Sequence, residues 1–356
     1  MKMQKVSFNN KNSDFFNALK EKVDAYFNSN NISQTGNYKL FIKTILLLLS
    51  AAALYTILVF FTPPVWISIL LCIVMGVNLA AIGFNIMHDG AHGSFSQRPW
   101  VNEMMGYSLN AMGGSVYIWK CKHNVNHHSF TNIEGMDDDI DIKPWIRTHE
   151  DQKKYWYHRF QHIYWVVLYG VTYVLWIFVQ DFTKYFSGKI ADTKFRKMDT
   201  KEHFIFWISK VLYIGVFLVV PMFTAGVLAT IIGFLVIAFV CGFIISVVFQ
   251  LAHIVENTEF STPETKSHKI DEEWAVHQVK TTADFATKSK IVSWFTGGLN
   301  FQVEHHLFPR ISHIHYPKIN QFVRETCEQF NITYLEFPTM LSAVRSHVVH
   351  LKHVGR

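Results

Sequence analysis

The chain has 356 residues, half of them hydrophobic and 15% aromatic, with only 17% charged. That balance leans to the membrane class and allows one large domain or two small ones. The net charge of +6 comes without a basic run or an aromatic-interleaved patch. It therefore reads as surface beside the cytoplasmic leaflet, not as a nucleic-acid site.

Residues Met1 to Lys43 are polar, rich in Asn and Lys, and carry no signal-peptide pattern. They are expected to be a cytoplasmic N-terminal segment, and nothing predicts secretion. Cys72, Cys121, Cys241 and Cys327 show no CxxC spacing and read as core fillers in a reducing compartment.

Thr44 to Thr62 is apolar and approaches the hydrocarbon thickness; Pro63-Pro64 breaks it, and Val65 to Met87 follows. Lys39 and Lys43 precede this hairpin and its turn is uncharged, so both its ends are expected in the cytoplasm. Three further apolar stretches are Ile163–Val179, Phe204–Val220 and Gly226–Leu251. If all three spanned, the last histidine cluster would lie across the bilayer from the first two. Ile163–Val179 is the stretch expected not to span, being short, rich in Trp and Tyr, and flanked by Arg159, His162, Asp181 and Lys184. Lys210 inside the next stretch calls for snorkelling or a later helix start. The expected fold is all-α and integral to the membrane. It has four transmembrane helices in two hairpins (44–62 with 65–87, 204–220 with 226–251), an interfacial helix at 163–179 and a cytoplasmic helical cap. Gln97–Gln161 and Glu256–Arg356 would build the cap, with Pro263 breaking the chain after the last span.

Histidine clusters beside these segments: His88 with His92, His123 with His127 and His128, and His305 with His306. An unpaired imidazole near lipid costs free energy, and seven are too many for one tetrahedral metal but suit two. His88 and His92, at i and i+4, share a helical face. A zinc-protease motif would need Glu after the first histidine; Asp89 stands there, better suited to accept an imidazole N–H. His123 and His127 share a face, while His128 points about 100° away, towards a second metal. Asn124 and Asn126 could orient these rings. Gln302 precedes His305-His306 where a further ligand could sit. His253 ends the last span: it meets headgroups and water, or it is a ligand, with Gln250 on the same face. His149, His158, His162, His203, His268, His277, His313, His315, His347, His350 and His353 are read as non-ligands, His277 being the strongest exception.

Taken together, His88-Asp-Gly-Ala-His92, His123-Asn-Val-Asn-His127-His128 and Gln302-Val-Glu-His305-His306-Leu-Phe-Pro309 resemble the three histidine boxes of the membrane fatty acid desaturases. The resemblance runs from about Thr44 to Pro317, and the Gln-led third box is similar to the front-end and related bacterial branch. It implies a single desaturase domain over 44–356, a diiron centre and O2 as co-substrate. His88, His92, His123, His127, His128, His305 and His306 would be the metal ligands, joined by His253 from the last span. Asp89, Asn124, Gln250 and Gln302 would lie around them. The second box has three residues before its histidine pair where many relatives have two. No haem-binding His-Pro-Gly-Gly motif occurs, and 43 residues before the first span are too few for a cytochrome domain. The resemblance thus implies a separate electron donor, a ferredoxin or cytochrome b-type protein. The expected function is oxygen-dependent desaturation of a fatty acyl chain on CoA, carrier protein or membrane lipid. The site would face the cytoplasm from the inner membrane. A lipid hydroxylase, or more distantly a non-enzymatic metal or haem-binding membrane protein, is the alternative.

Overall fold

The computed structural model describes residues 6–11, 13–191, 193–261 and 269–356. Pro263 and His268 lie outside them. The described chain is mostly helical, with only two-residue strand pairs. Helix α1 is Asp14–Asn30. Five further helices are long and apolar enough to cross a membrane: α2 (Tyr38–Phe61), α3 (Val65–His92), α4 (Trp156–Ser187), α5 (Thr200–Thr224) and α6 (Val227–His253). Short helices between and after them form the cap, including α7 (Gln302–Leu307), α8 (Tyr316–Gln329) and α9 (Met340–Gly355).

The helix ends follow local chemistry. Asn37 accepts the Lys39 amide to start α2, and Thr62 takes a left-handed φ of 40° before Pro63-Pro64 stop it. Gly226, at φ 91°, makes the turn between α5 and α6. Inside the first hairpin Asn78 donates to the Leu47 carbonyl (3.1 Å) and accepts from Ser50 (3.2 Å), so this polar side chain is satisfied at membrane depth. A Cβ at Gly242 of α6 would lie 2.8 Å from the Gly170 carbonyl oxygen of α4. Glycine there lets these two helices pack backbone to backbone.

The stretch expected over 163–179 differs. It is the middle of a 32-residue helix, not a short one, so length alone no longer argues against its crossing a membrane. Its polar and aromatic flanks stay helical because they are held: Gln161 donates to the Arg147 and Leu351 carbonyls (2.9 and 2.8 Å), and Lys184 pairs with Asp138 at 2.7 Å. Lys210 neither snorkels nor precedes its helix. Its ammonium is buried against Asp181 (2.8 Å) and the carbonyls of Gly113 (2.6 Å) and Ile177 (2.8 Å).

Residues 1–43, read from sequence as a polar segment, contribute α1. Phe15, Leu19, Val23 and Phe27 recur every four residues and bury one apolar stripe. The stripe packs against Ala275, Val279, Leu307, Ile319 and Val323, the core beneath the third histidine box. Ser7–Phe8 pairs in parallel with Lys269–Ile270, and Asp284–Phe285 with Glu336–Phe337, fastening the cap at both ends.

Candidate metal centre

All three boxes sit on helical turns that the fold closes against one another. His88 and His92 end α3, just after a π-helical stretch at Gly83–Met87. The second box lies on another π-helical turn, Cys121–His127, in which the His128 amide bonds the His123 carbonyl (3.1 Å). Such wide turns rotate side chains away from α-helical spacing and recur at functional sites. His123 and His127 share a face as expected, their rings stacked with centroids 5.1 Å apart, and the wide turn brings His128 to His123 as well, with the two Nε2 atoms 3.2 Å apart.

Eight imidazoles converge in two groups. His88, His92, His123 and His305 offer ligand atoms within 4.8 Å of one another, and His127, His253 and His306 do the same. His128 lies between, its ring centroid 4.6 Å from those of both His305 and His306. His253, open from sequence alone, belongs to the second group. All eight are buried.

Their outer nitrogens are held. His123 Nδ1 meets Asp139 at 2.8 Å and His127 Nδ1 meets Asp137 at 2.9 Å. His306 Nδ1 donates to Gln278 Oε1 (2.8 Å), His253 Nδ1 to the Thr281 carbonyl (3.3 Å), and His305 Nδ1 meets the Tyr316 hydroxyl (3.1 Å). Six of the eight rings also keep a nitrogen without a partner: Nε2 of His92, His127, His253, His305 and His306, and Nδ1 of His128, are buried and unbonded. Orphaned buried acceptors are costly, and a ring whose far N–H is fixed by a carboxylate or carbonyl is the usual arrangement of a metal-bound histidine. The donor set therefore fits two cations.

The electrostatics agree for most of the rings; at His127 burial also works downward, but Asp137 raises it above its ordinary value. Burial pushes His123 down to about 4, and burial with neighbouring imidazoles holds His128, His305 and His306 well below their ordinary value. These rings keep free lone pairs at neutral pH. Burial opposes ionisation of Asp139, yet Lys122 and His123 hold it well below the usual carboxylate range. Lys122 forms the ion pair with Asp139 and reaches over the Trp176 ring of α4.

Several expected side chains sit elsewhere. Asp89 does accept an imidazole N–H, but from His313 (3.0 Å), together with the Ser312 hydroxyl (2.7 Å), so it ties the first box to the turn after the third. Asn124 bonds the Ala91 carbonyl (3.0 Å) and Asn126 bonds Thr193 (3.1 Å); neither reaches a ring, because Asp137 and Asp139 occupy that role. Gln250 and Gln302 keep buried, unbonded amide oxygens beside the cluster. His277 bonds the Thr131 carbonyl (2.8 Å) outside both groups. His347 is buried between the Ile254 carbonyl (2.6 Å) and the Tyr169 hydroxyl (3.0 Å). Sequence reasoning missed Asp137, Asp139, Gln278, Thr281 and Tyr316. The signal for the first two was the acidic run Asp137-Asp138-Asp139, nine residues past His128. Gln278 was overlooked beside the more conspicuous His277.

Two cavities reach the cluster from chemically different sides. One of about 560 Å³ runs from Asp141 and Lys143 past Trp176, Phe249 and Met112 and is lined by His88, His123 and His305. The other, about 620 Å³, is lined by His92 and His128 and by Glu103, Lys120, Glu202 and Arg310.

The fatty acid desaturase family model matches residues 64–338, which contain all eight histidines. The chain belongs to the fatty acid desaturase family. It is 38% identical over 350 residues to an acyl-lipid (8-3)-desaturase of Physcomitrium patens, covering 97% of this chain and 72% of that one. Over 352 residues it is 37% identical to the sn-1 linoleoyl-lipid 6-desaturase of Arthrospira platensis, covering 99% and 95%. A Synechocystis sp. protein of that same description is 33% identical over 355 residues, covering 99% and 98%. The chain is thus an oxidoreductase, a fatty acyl desaturase of a family to which its apolar helices and buried histidines suit well.

Proposed function

We propose that this desaturase introduces a double bond into the acyl chain of a membrane lipid, using O2 and a diiron centre fed by a separate electron donor. The observation that carries the reading is the set of eight buried imidazoles, six of them with an unpartnered nitrogen, at the end of an apolar cavity. Acyl-lipid rather than thioester substrate is supported by the relatives, whose names describe lipid-linked acyl chains.

His88, His92, His123 and His305 would hold one iron and His127, His253 and His306 the other, with His128 between them. Imidazole also suits zinc and copper, but zinc has no redox chemistry. When bound, the irons supply the oxidant that an unactivated methylene requires and that side-chain acids and bases cannot provide. The balance takes O2, two electrons and two protons with the saturated chain, and gives the alkene and two waters. Asp137, Asp139, Gln278 and Thr281 hold the ring protons at Nδ1 and so keep Nε2 turned inwards. Gln250 and Gln302 point unbonded amide oxygens at the same space, where they can orient a water or a ligand. Trp176, Phe249 and Leu299 line the chain's path and exclude water from it. Which methylenes lie beside His88, His123 and His305 then decides where the bond forms.

For topology we infer two spanning hairpins, α2–α3 and α5–α6, with the site on the cytoplasmic side. The C-terminal ends of α3 and α6 both deliver histidines to one cluster, so they share a face of the membrane. Both ends of α4 also contact that side. Gln161 bonds the cap at Leu351, and Lys184 pairs with Asp138 beside the Asp139 that holds His123. Asn126 of the second box bonds Thr193 in the α4–α5 linker. A membrane-crossing α4 would separate these partners, so we infer that α4 does not span, its middle packing on α6 from Phe243 to Phe234.

Expression in a lipid-producing host with a ferredoxin or cytochrome b-type donor, followed by gas chromatography–mass spectrometry of the lipids, tests the reading. A new alkene that disappears with His305→Ala is expected. A hydroxylated product would reassign the chemistry, and an unchanged profile with active donor would refute desaturation.

A further inference from the structure

Below the histidine cavity lies a second one, about 540 Å³, between the two hairpins. It is lined by Tyr55, Leu58, Met75 and Leu79 of the first hairpin and by Phe217 and Ile237 of the second, and extends to the outer turns at Pro63 and Ala225. The two cavities share two lining residues, Met112 and Tyr173. Those residues, with Tyr213, form the wall that divides one apolar space from the other.

The wall is built, not incidental. Met112 sits in the turn after Ser108–Ala111, and its carbonyl accepts the Tyr173 hydroxyl of α4. That hydroxyl lies 3.4 Å from the Tyr213 hydroxyl of α5. Two phenol groups at this depth would be costly unless bonded, and here each has a partner. Gly113 adopts φ 89°, and a Cβ on it would come within 2.8 Å of the Tyr213 ring. Only glycine lets the turn and the ring close against each other. The Gly113 carbonyl is fixed in turn by Lys210 (2.6 Å), which is held by Asp181. One turn is thus clamped by α4 through Tyr173 and Asp181 and by α5 through Tyr213 and Lys210.

We propose that the Met112–Tyr173–Tyr213 wall is the floor of the acyl site and sets how long a methyl-terminal tail the enzyme accepts. The proposal rests on the desaturase reading. The substrate's reacting carbons lie at His88, His123 and His305, and the remaining tail runs down to Met112 and Tyr173. Removing the floor joins the two cavities, so the tail can continue between the hairpins toward Pro63. The floor residues do no chemistry; they determine specificity.

The test is a competition among fatty acids of graded chain length, fed to a host carrying the full chain and its electron donor. The readout is the ratio of desaturated long to desaturated short product. Met112→Ala and Tyr213→Leu should each raise that ratio about tenfold, the equivalent of about 1.4 kcal/mol in selectivity. Tyr173→Phe, which keeps the ring and loses only the hydroxyl, should move it far less. An unchanged ratio in active Met112→Ala and Tyr213→Leu enzymes overturns the floor while leaving desaturation standing. Loss of all activity in both, with wild-type protein levels, also counts against it, because enlarging the floor leaves the histidine end intact. A wild-type chain that forms no double bond overturns the desaturase reading and the floor with it.

Discussion

His127 Nδ1 lies 2.9 Å from Asp137 Oδ2, and both side chains are shut off from solvent. The same carboxylate accepts the Asn132 amide (3.1 Å), so it orients a ring and shapes the loop that follows the second box. A buried carboxylate in this position fixes which ring nitrogen carries the proton.

Asp137→Asn keeps the shape but weakens that grip. On the diiron reading proposed above, iron should be lost at chelator concentrations about 10- to 100-fold lower than for the wild type, the usual cost of removing a ligand's supporting partner. The measurement is metal content after dialysis against graded chelator, with circular dichroism to show that the helices persist. Wild-type iron retention would remove Asp137 from the site.

Leu19 tests whether α1 is part of the enzyme's folded body. It is fully buried in the core that contains Leu307 and Val303 of the third box. Leu19→Ala should cost roughly 2–5 kcal/mol by removing packed methyl groups and leaving a cavity. Thermal unfolding in detergent reads this directly. A melting point within a degree of wild type would mean that α1 only rests on the cap.

The histidine boxes were legible because a buried imidazole cluster leaves few chemical alternatives, and because their spacing and order are specific. His253 was half-legible: its place at a helix end was plain, but nothing local said what faced it. Asp137 and Gln278 were not legible, since a carboxylate near a box could equally be solvated, and only the fold brings Gln278 to His306. The helix Trp156–Ser187 shows another limit. Hydropathy ends at Val179, yet Gln180 to Ser187 stay helical because Asp181 and Lys184 find partners on distant segments. Lys210 looked like a flaw for the same reason, its partner Asp181 being 29 residues away.

That buried pair makes a thermodynamic cycle. Lys210→Met leaves the Asp181 carboxylate buried without its cation, which costs on the order of 3–5 kcal/mol. Lys210→Met with Asp181→Leu removes both charges and should recover most of the loss, because well-packed apolar replacements of a buried pair are often neutral. Melting temperatures of the two single variants and the double variant give the coupling. Additive losses would show that Lys210 and Asp181 act separately.

Glu304 stands immediately before the paired histidines of the third box and is fully buried near Asp284, with Asn320 donating to it at 3.2 Å. Burial, and then the charge of Asp284, hold its carboxyl well above the ordinary value of 4.5. Asp284 is held as an acceptor by the Tyr334 hydroxyl and the Val303 amide (2.9 Å), so the proton resides on Glu304. A carboxyl raised in the fold stabilises it fully below its unfolded pKa, and that contribution is lost as pH rises through the folded value. Wild-type protein should therefore lose melting temperature from the ordinary carboxylate range upward. Glu304→Gln, neutral at every pH and able to keep the Asn320 bond, should flatten this slope and melt higher in mildly alkaline buffer. Glu304→Ala leaves Asn320 and Asp284 with an unfilled polar site and should melt lower than wild type throughout. Melting curves across the neutral range decide the matter: parallel wild-type and Glu304→Gln slopes would mean that Glu304 is already ionised in the folded protein.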